Sequence, residues 1–172
     1  MIREILIYPN PVLKKKSIEV TEFNEKLGNI LDDMVETMDF KEGIGLAGIQ
    51  VGIDKRILVL RVPDEQTGKN PEEATEIINP RIVEKSGEVI YSEGCLSVPD
   101  YYEDVKRFET IKLQYQNRMG EKIEKVFKGI YAIAIQHEMD HLDGILFVER
   151  LSYMKRKKFE KEMRNKNKKN RN

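Results

Sequence analysis

Both histidines and the single cysteine of this 172-residue chain fall in two short segments. Residues 93–97 read Glu-Gly-Cys-Leu-Ser, and residues 136–141 read Gln-His-Glu-Met-Asp-His. Imidazole and thiolate are the side-chain groups that best bind a borderline-soft divalent metal ion. The sequence therefore predicts a metal centre built from Cys95, His137 and His141.

The second segment has the spacing of a catalytic site on a helix. Residues four apart lie on one helix face, so His137 and His141 can bind the same ion. Glu138 projects from an adjacent position, and His-Glu-x-x-His is typical of metal hydrolases in which the glutamate is the general base. With Cys95 as third ligand, a fourth position stays open to water, which indicates a catalytic rather than a structural ion. Asp140 could orient a ligand or anchor the helix through an ion pair, and the second interpretation is favoured.

A glycine-rich passage at residues 42–52 contains another candidate group. The passage lacks the Gly-Lys-Ser/Thr ending of a phosphate-binding loop and follows a predicted helix, which disfavours nucleotide binding. Gln50 is an amide at the end of an otherwise apolar stretch, and its side-chain N–H can stabilise an oxyanion. The alternative interpretation is that the passage is only a turn.

Hydrophobic periodicity predicts the elements that position these residues. Residues 24–41 are predicted as a helix because apolar residues recur at three- and four-residue spacings. Residues 129–143 are predicted as a helix that is apolar nearly all round and therefore buried. Polar groups buried on it need partners, and a metal ion supplies one. Cys95 is expected at a strand end or turn. Strands are predicted at residues 56–62, 76–79, 81–85, 88–91, 110–116 and 122–127.

Composition and length predict one soluble globular domain, residues 1–172. The chain is 40% hydrophobic and 35% charged, and no apolar run approaches the roughly 20 residues that cross a bilayer. The N-terminus shows no secretory signal pattern. One cysteine forms no internal disulfide, which fits a reducing cytoplasm. We expect a cytoplasmic protein with neither a membrane nor DNA as partner.

The formal net charge of zero hides a basic C-terminus. Residues 155–172 contain ten Lys or Arg and two Glu. This tail, expected to be helical from about residue 152, is either a solvated helix end or an arm that binds a polyanion such as RNA.

Taken together, the three segments closely resemble those of peptide deformylase, in the bacterial type with a C-terminal helical extension. The motifs of that family are Gly-x-Gly-Leu-Ala-Ala-x-Gln, Glu-Gly-Cys-Leu-Ser and Gln-His-Glu-x-Asp-His. This chain carries them in order at residues 43–50, 93–97 and 136–141, and the resemblance covers nearly its whole length. Gly48 stands where the family usually has alanine, and Ile49 where proline is commoner.

The resemblance implies a metal-dependent amide hydrolase. Its substrate would be the formyl-methionine at the N-terminus of newly made polypeptides, and its product formate. Cys95, His137 and His141 would hold one divalent ion, with Fe²⁺ expected and Zn²⁺, Ni²⁺ or Co²⁺ able to substitute.

The same resemblance implies roles for the other site residues. Glu138 is expected to be the general acid and base. Gln50 and the backbone N–H of Leu96 are expected to form the oxyanion site. By analogy, the pocket for methionine would be lined by Ile44, Gly45, Glu93, Gly94, Tyr131, Ile133 and Ala134.

The expected fold class is α+β, with antiparallel β-sheets surrounding a buried metal-binding helix, and with N-terminal and C-terminal helices. Two other functions stay open. A zinc-dependent endopeptidase would take Glu160 as third ligand and would leave Cys95 without a role. A ribosome- or RNA-binding module with a structural metal would use the basic tail. Deformylases with this extension dock at the ribosome through it, so the resemblance also implies a ribosome contact.

Overall fold

The computed structural model describes residues 1–171. Within them, the α-helices are α1 (Glu25–Phe40), α2 (Gly129–Leu142) and α3 (Tyr153–Lys169). The strands are β1 (Gly45–Ala47), β2 (Ile57–Leu60), β3 (Thr75–Ser86), β4 (Val89–Cys95), β5 (Val98–Arg107), β6 (Thr110–Gln116) and β7 (Lys122–Lys128). Short 3₁₀ turns occupy Pro11–Lys14, Gly48–Val51 and Phe147–Arg150. None of the described helices is long and apolar enough to cross a membrane.

The strands form two antiparallel sheets. One has the order β1-β2-β3-β6-β7, and the other is the hairpin of β4 and β5. Helix α2 packs against β1, β2 and β7 and shares a hydrophobic core with the large sheet. The predicted α+β class, with antiparallel sheets around a buried helix, is confirmed.

Burial of α2 follows from its own sequence. Ala132, Ala134, Ile135 and Leu142 pack into the core formed with the large sheet, and Ile133 is buried outside that cluster. A helix that is apolar on nearly all faces is buried in the interior of the protein. The polar residues between these positions are therefore carried into the interior with their neighbours.

Helix α1 confirms the helix predicted at residues 24–41. The Asn24 side chain caps its start by accepting a hydrogen bond of 3.0 Å from the backbone N–H of Leu27. Leu27, Leu31, Met34 and Met38 are buried at the predicted spacing. They pack over the other face of β1 and β2, so the short strand β1 is covered on both sides.

Two details of the strand prediction were wrong. Residues 76–79 and 81–85 belong to one strand, β3, whose pairing with β6 shifts register between Ile78 and Arg81. Asn79 has φ of 51° there, and this bulge lets the strand continue through Pro80, which has no N–H to pair. Strand β5 was missed, because charged residues separate its buried Val98, Tyr101 and Val105.

Helix α3 begins near the predicted residue 152. Ser152 caps it by accepting a hydrogen bond from the backbone N–H of Lys155. Phe159 is buried and packs edge-on against Tyr8 at 5.1 Å and Tyr101 at 4.8 Å between ring centroids. This anchor fixes the helix to the body of the protein, with most of its basic residues exposed.

Candidate metal centre

Helix α2 and the β4–β5 hairpin bring the three predicted ligands together. The ligand atoms of Cys95, His137 and His141 all lie within 4.8 Å of one another. Cys95 Sγ is 3.3 Å from His141 Nε2, and the two imidazole centroids are 5.1 Å apart. Ligand atoms around a tetrahedral ion stand on the order of 3.5 Å apart, so this spacing fits a metal site after small adjustments.

One of the donor groups, His141, also has the chemical state that a metal ion requires. His141 is buried, and its Nδ1 finds no hydrogen-bond partner among the described residues. Burial lowers the pKa of His141, which keeps the ring neutral, the form that binds a metal. His137 Nδ1 lies 2.8 Å from Glu93 Oε1, which leaves its Nε2 for the ion. Two imidazoles and a thiolate form a three-ligand set with an open fourth position.

The position of Cys95 follows from the hairpin. Cys95 is the last residue of β4, at a strand end as predicted, and it pairs with Val98 of β5. The chain reverses through Leu96 and Ser97 alone. This tight turn holds the cysteine thiol and the backbone of Leu96 at the same place, beside α2.

Glu138 lies beside the ligands, with its Oε1 4.0 Å from His137 Nε2. Its carboxyl group packs against Gly45 of β1, and its buried Oε2 accepts no hydrogen bond from the described residues. Burial raises the pKa of Glu138 to about 7. A carboxyl group that titrates near neutral pH can both take and return a proton, as general acid–base catalysis requires.

Gln50 is held with its amide nitrogen at the metal centre. Its Oε1 accepts a hydrogen bond of 2.9 Å from the Ala47 backbone, which fixes the direction of the amide. Its Nε2 donates to Ser97 Oγ at 3.1 Å and lies 3.5 Å from Cys95 Sγ. Sequence reasoning did not single out Ser97, which is fully buried, although it belongs to the same motif as Cys95.

An ion-pair network lies behind the histidines. Arg107 donates from Nε and Nη2 to the two oxygens of Glu93, at 2.7 and 2.8 Å, and from Nη1 to Asp140 at 2.7 Å. Burial by itself would raise the pKa of Glu93, but hydrogen bonds from Arg107 and His137 lower it to about 2. The ion pair foreseen for Asp140 is present, whereas no motif marks Arg107.

A cavity of about 890 Å³ opens beside the metal centre. The predicted residues on its wall are Ile44, Gly45, Glu93, Gly94, Ile133 and Ala134, together with Leu96 and Glu138. The structure does not bring Tyr131 to this wall, because its ring packs against Phe127 with centroids 6.1 Å apart. Ile130 lines the cavity instead, since residues 130, 133, 134 and 137 share one face of α2.

The chain matches known proteins over most of its length. The family model of polypeptide deformylase matches residues 2–157. A peptide deformylase of Wolinella succinogenes is 52% identical over 160 residues, which cover 93% of this chain and 94% of the relative.

Solved structures show the same likeness. A peptide deformylase from Legionella pneumophila superimposes with a TM-score of 0.87 at 36% identity, over 98% of this chain and 96% of the other. A class I type b peptide deformylase from Acinetobacter baumannii with bound Met-Ala-Ser superimposes with a TM-score of 0.81 at 37% identity. The match covers 88% of this chain and 99% of the other. With its fold, its three clustered donor groups and these matches, the chain belongs to the peptide deformylase family.

Proposed function

We propose that Cys95, His137 and His141 hold one divalent metal ion, beside which Glu138 transfers protons in the family's reaction. That reaction removes the N-formyl group from nascent polypeptides and yields formate and a free α-amine. The observation that carries these residue roles is the convergence of the three ligand atoms within 4.8 Å, next to a buried carboxyl group.

The chain and the ion divide the chemistry between them. When bound, the ion supplies a Lewis acid that polarises the formyl carbonyl group and lowers the pKa of a water molecule. Glu138 takes a proton from the attacking water and delivers it to the leaving nitrogen. Its burial supports both transfers, because a carboxyl group with a pKa of about 7 is neither fully ionised nor fully protonated at neutral pH.

Gln50 and the Leu96 backbone N–H would stabilise the charge that develops on the formyl oxygen. The Ala47 N–H holds Gln50 Oε1, so the amide keeps its Nε2 toward Cys95. The contact of Nε2 with the cysteine sulfur is long, at 3.5 Å, and an arriving oxyanion is a stronger acceptor. Such a preformed donor stabilises the transition state without reorganisation.

The cavity beside the metal centre suits an N-terminal methionine. Ile44, Ile133 and Ala134 give it an apolar wall next to His137 and Glu138. The related Acinetobacter enzyme was crystallised with Met-Ala-Ser, a peptide that begins with methionine. A formyl carbon carries only hydrogen, so a narrow site at the ion can admit it and exclude larger acyl groups.

Fe²⁺ is the natural ion in this proposal, and Zn²⁺, Ni²⁺ or Co²⁺ can substitute, because imidazole and thiolate suit all four. In this proposal the described residues, 1–171, belong to a single domain. The enzyme works in the cytoplasm, where a lone cysteine stays reduced and able to bind metal.

The test is formate release from formyl-Met-Ala-Ser by anaerobically purified protein, with the metal content measured on the same sample. We expect about one ion per chain, formate as product and no cleavage of the unblocked peptide Met-Ala-Ser. The Cys95→Ala variant should lose both the ion and the activity. Cleavage of unblocked peptides without formate release would instead favour the endopeptidase.

The ribosome is a second partner in this proposal, through α3. Phe159 anchors the helix, and Arg164, Lys166, Lys168 and Lys169 lie exposed beyond it. Exposed basic groups in this number favour a polyanion such as ribosomal RNA. Replacing these four residues with Gln should weaken co-sedimentation with ribosomes and leave formate release from short peptides unchanged. Equal co-sedimentation of the variant and the wild type would contradict the contact.

A further inference from the structure

Arg150 links the C-terminal segment to the metal-binding helix. It ends the 3₁₀ turn Phe147–Arg150, just before α3. Its Nε and Nη2 donate to the two oxygens of Asp140, each at 2.6 Å. Asp140 Oδ2 also accepts the hydrogen bond of 2.7 Å from Arg107 Nη1. One carboxylate is thus shared by two guanidinium groups.

The contacts continue from Asp140 to a metal ligand. The two remaining donor nitrogens of Arg107 bind Glu93, and Glu93 Oε1 lies 2.8 Å from His137 Nδ1. Asp140 stands three residues after His137 on α2. The contacts therefore form a closed ring that joins β4, β5 and α2, and Arg150 is attached to it from outside.

Charge explains why the ring needs Arg150. Glu93 and Asp140 carry two negative charges, and Arg107 supplies one positive charge; its side chain and that of Glu93 are 3% and 4% exposed. A buried carboxylate without its own partner cation strongly attracts the nearest positively charged group. Without Arg150, Asp140 would draw Arg107 away from Glu93. Glu93 would then hold the ring of His137 less firmly.

We infer that Arg150 is a positioning residue of the metal centre: it fixes Asp140, so that Arg107 stays on Glu93 and Glu93 on His137. The inference rests on the metal site proposed above. The fork of two donors matters, because a lysine ammonium offers a point charge without fixed direction. Arg150, Asp140 and Arg107 do not line the substrate cavity, whereas Glu93 and His137 do. We therefore expect loss of Arg150 to change how firmly the metal ion is held.

The test is the rate at which Co²⁺ leaves the loaded enzyme in excess chelator, followed by its visible absorption. Arg150→Met should speed release about tenfold, the lower end of what loss of a partner of a metal-binding histidine causes. Arg150→Lys, which keeps the charge but not the fork, should also release the ion several times faster. Lys14→Met is the matched control, because it removes an ion pair with Glu149 of the same turn and should release Co²⁺ at the wild-type rate.

Several outcomes would overturn the inference. If Arg150→Met releases Co²⁺ within twofold of the wild-type rate, Arg150 does not position the metal centre. If Arg150→Lys releases Co²⁺ at the wild-type rate, the two-donor geometry of the guanidinium group is not needed. Equal acceleration in Lys14→Met would reduce the effect to a general loosening of the turn. A wild-type protein that binds no Co²⁺ would instead count against the metal site itself, so the two failures are distinguishable.

Discussion

The carboxyl group of Glu138 lies directly against the backbone of Gly45. A β-carbon placed on Gly45 would stand 3.0 Å from Glu138 Cγ and 2.9 Å from its Oε1, and the second distance is shorter than real β-carbon contacts. Gly45 belongs to β1 and Glu138 to α2, so the absence of a side chain at one position makes room for the carboxyl group at the other. The glycine serves close approach here, not an unusual backbone angle.

Gly45→Ala should therefore impair chemistry without removing the metal. The added methyl group must displace the Glu138 carboxyl group or the strand, and a misplacement near 1 Å can cost about 10²-fold in rate. We expect kcat for formyl-Met-Ala-Ser to fall by at least tenfold while the metal content stays at the wild-type level. Gly28→Ala in α1 is the control, since its β-carbon would meet only Arg118 at 3.7 Å. Full activity of Gly45→Ala would contradict the packing relationship.

Glu138→Gln should bind metal normally and lose most of its turnover. The amide has the size of the carboxyl group but cannot take up the proton, and loss of a general base typically lowers the rate by about 10²–10⁴. Metal analysis and formate release on the same preparation measure both properties. Near-normal turnover would exclude the proton-transfer role.

Gln50→Ala should lower kcat more than it raises KM. Loss of one oxyanion donor typically costs about 10²–10³ in kcat. Ser97→Ala should give a smaller loss in the same direction, because Gln50 keeps its hydrogen bond from Ala47 and loses only the Ser97 hydroxyl acceptor at Nε2. Steady-state kinetics with formyl-Met-Ala-Ser separates the two constants, and a change confined to KM would make Gln50 a substrate-binding residue only.

Phe159→Ala should destabilise the folded protein by about 3–5 kcal/mol, the usual cost of removing a buried phenylalanine ring. The ring is 1% exposed and packs between Tyr8 and Tyr101. Chemical unfolding of the metal-free protein measures the loss. Tyr153→Ala, at a residue of the same helix that is 76% exposed, should change the free energy of unfolding by less than about 0.5 kcal/mol.

The parts of the fold that were predicted well depend on local patterns. The helices at residues 24–41 and 129–143 repeat apolar residues every three or four positions, and their observed ends fall within two residues of those predicted. Strand β5 escaped prediction because its period of two is interrupted: Glu103, Asp104 and Lys106 surround Val105, and the pattern also fits an exposed loop. Only the pairing with β4 makes that segment a strand.

The sequence by itself determined the chemistry available to this protein, because scarce ligand types and their spacing on one helix are local properties. Cys95, His137, His141 and Glu138 could be named in this way. Only the tertiary structure decided how far apart they lie, that Ser97 holds Gln50, and that Tyr131 turns away from the cavity. It also decided that Arg107 ties Glu93 to Asp140. Such contacts join residues distant along the chain, and their geometry depends on how the sheets pack around α2, which no local pattern encodes.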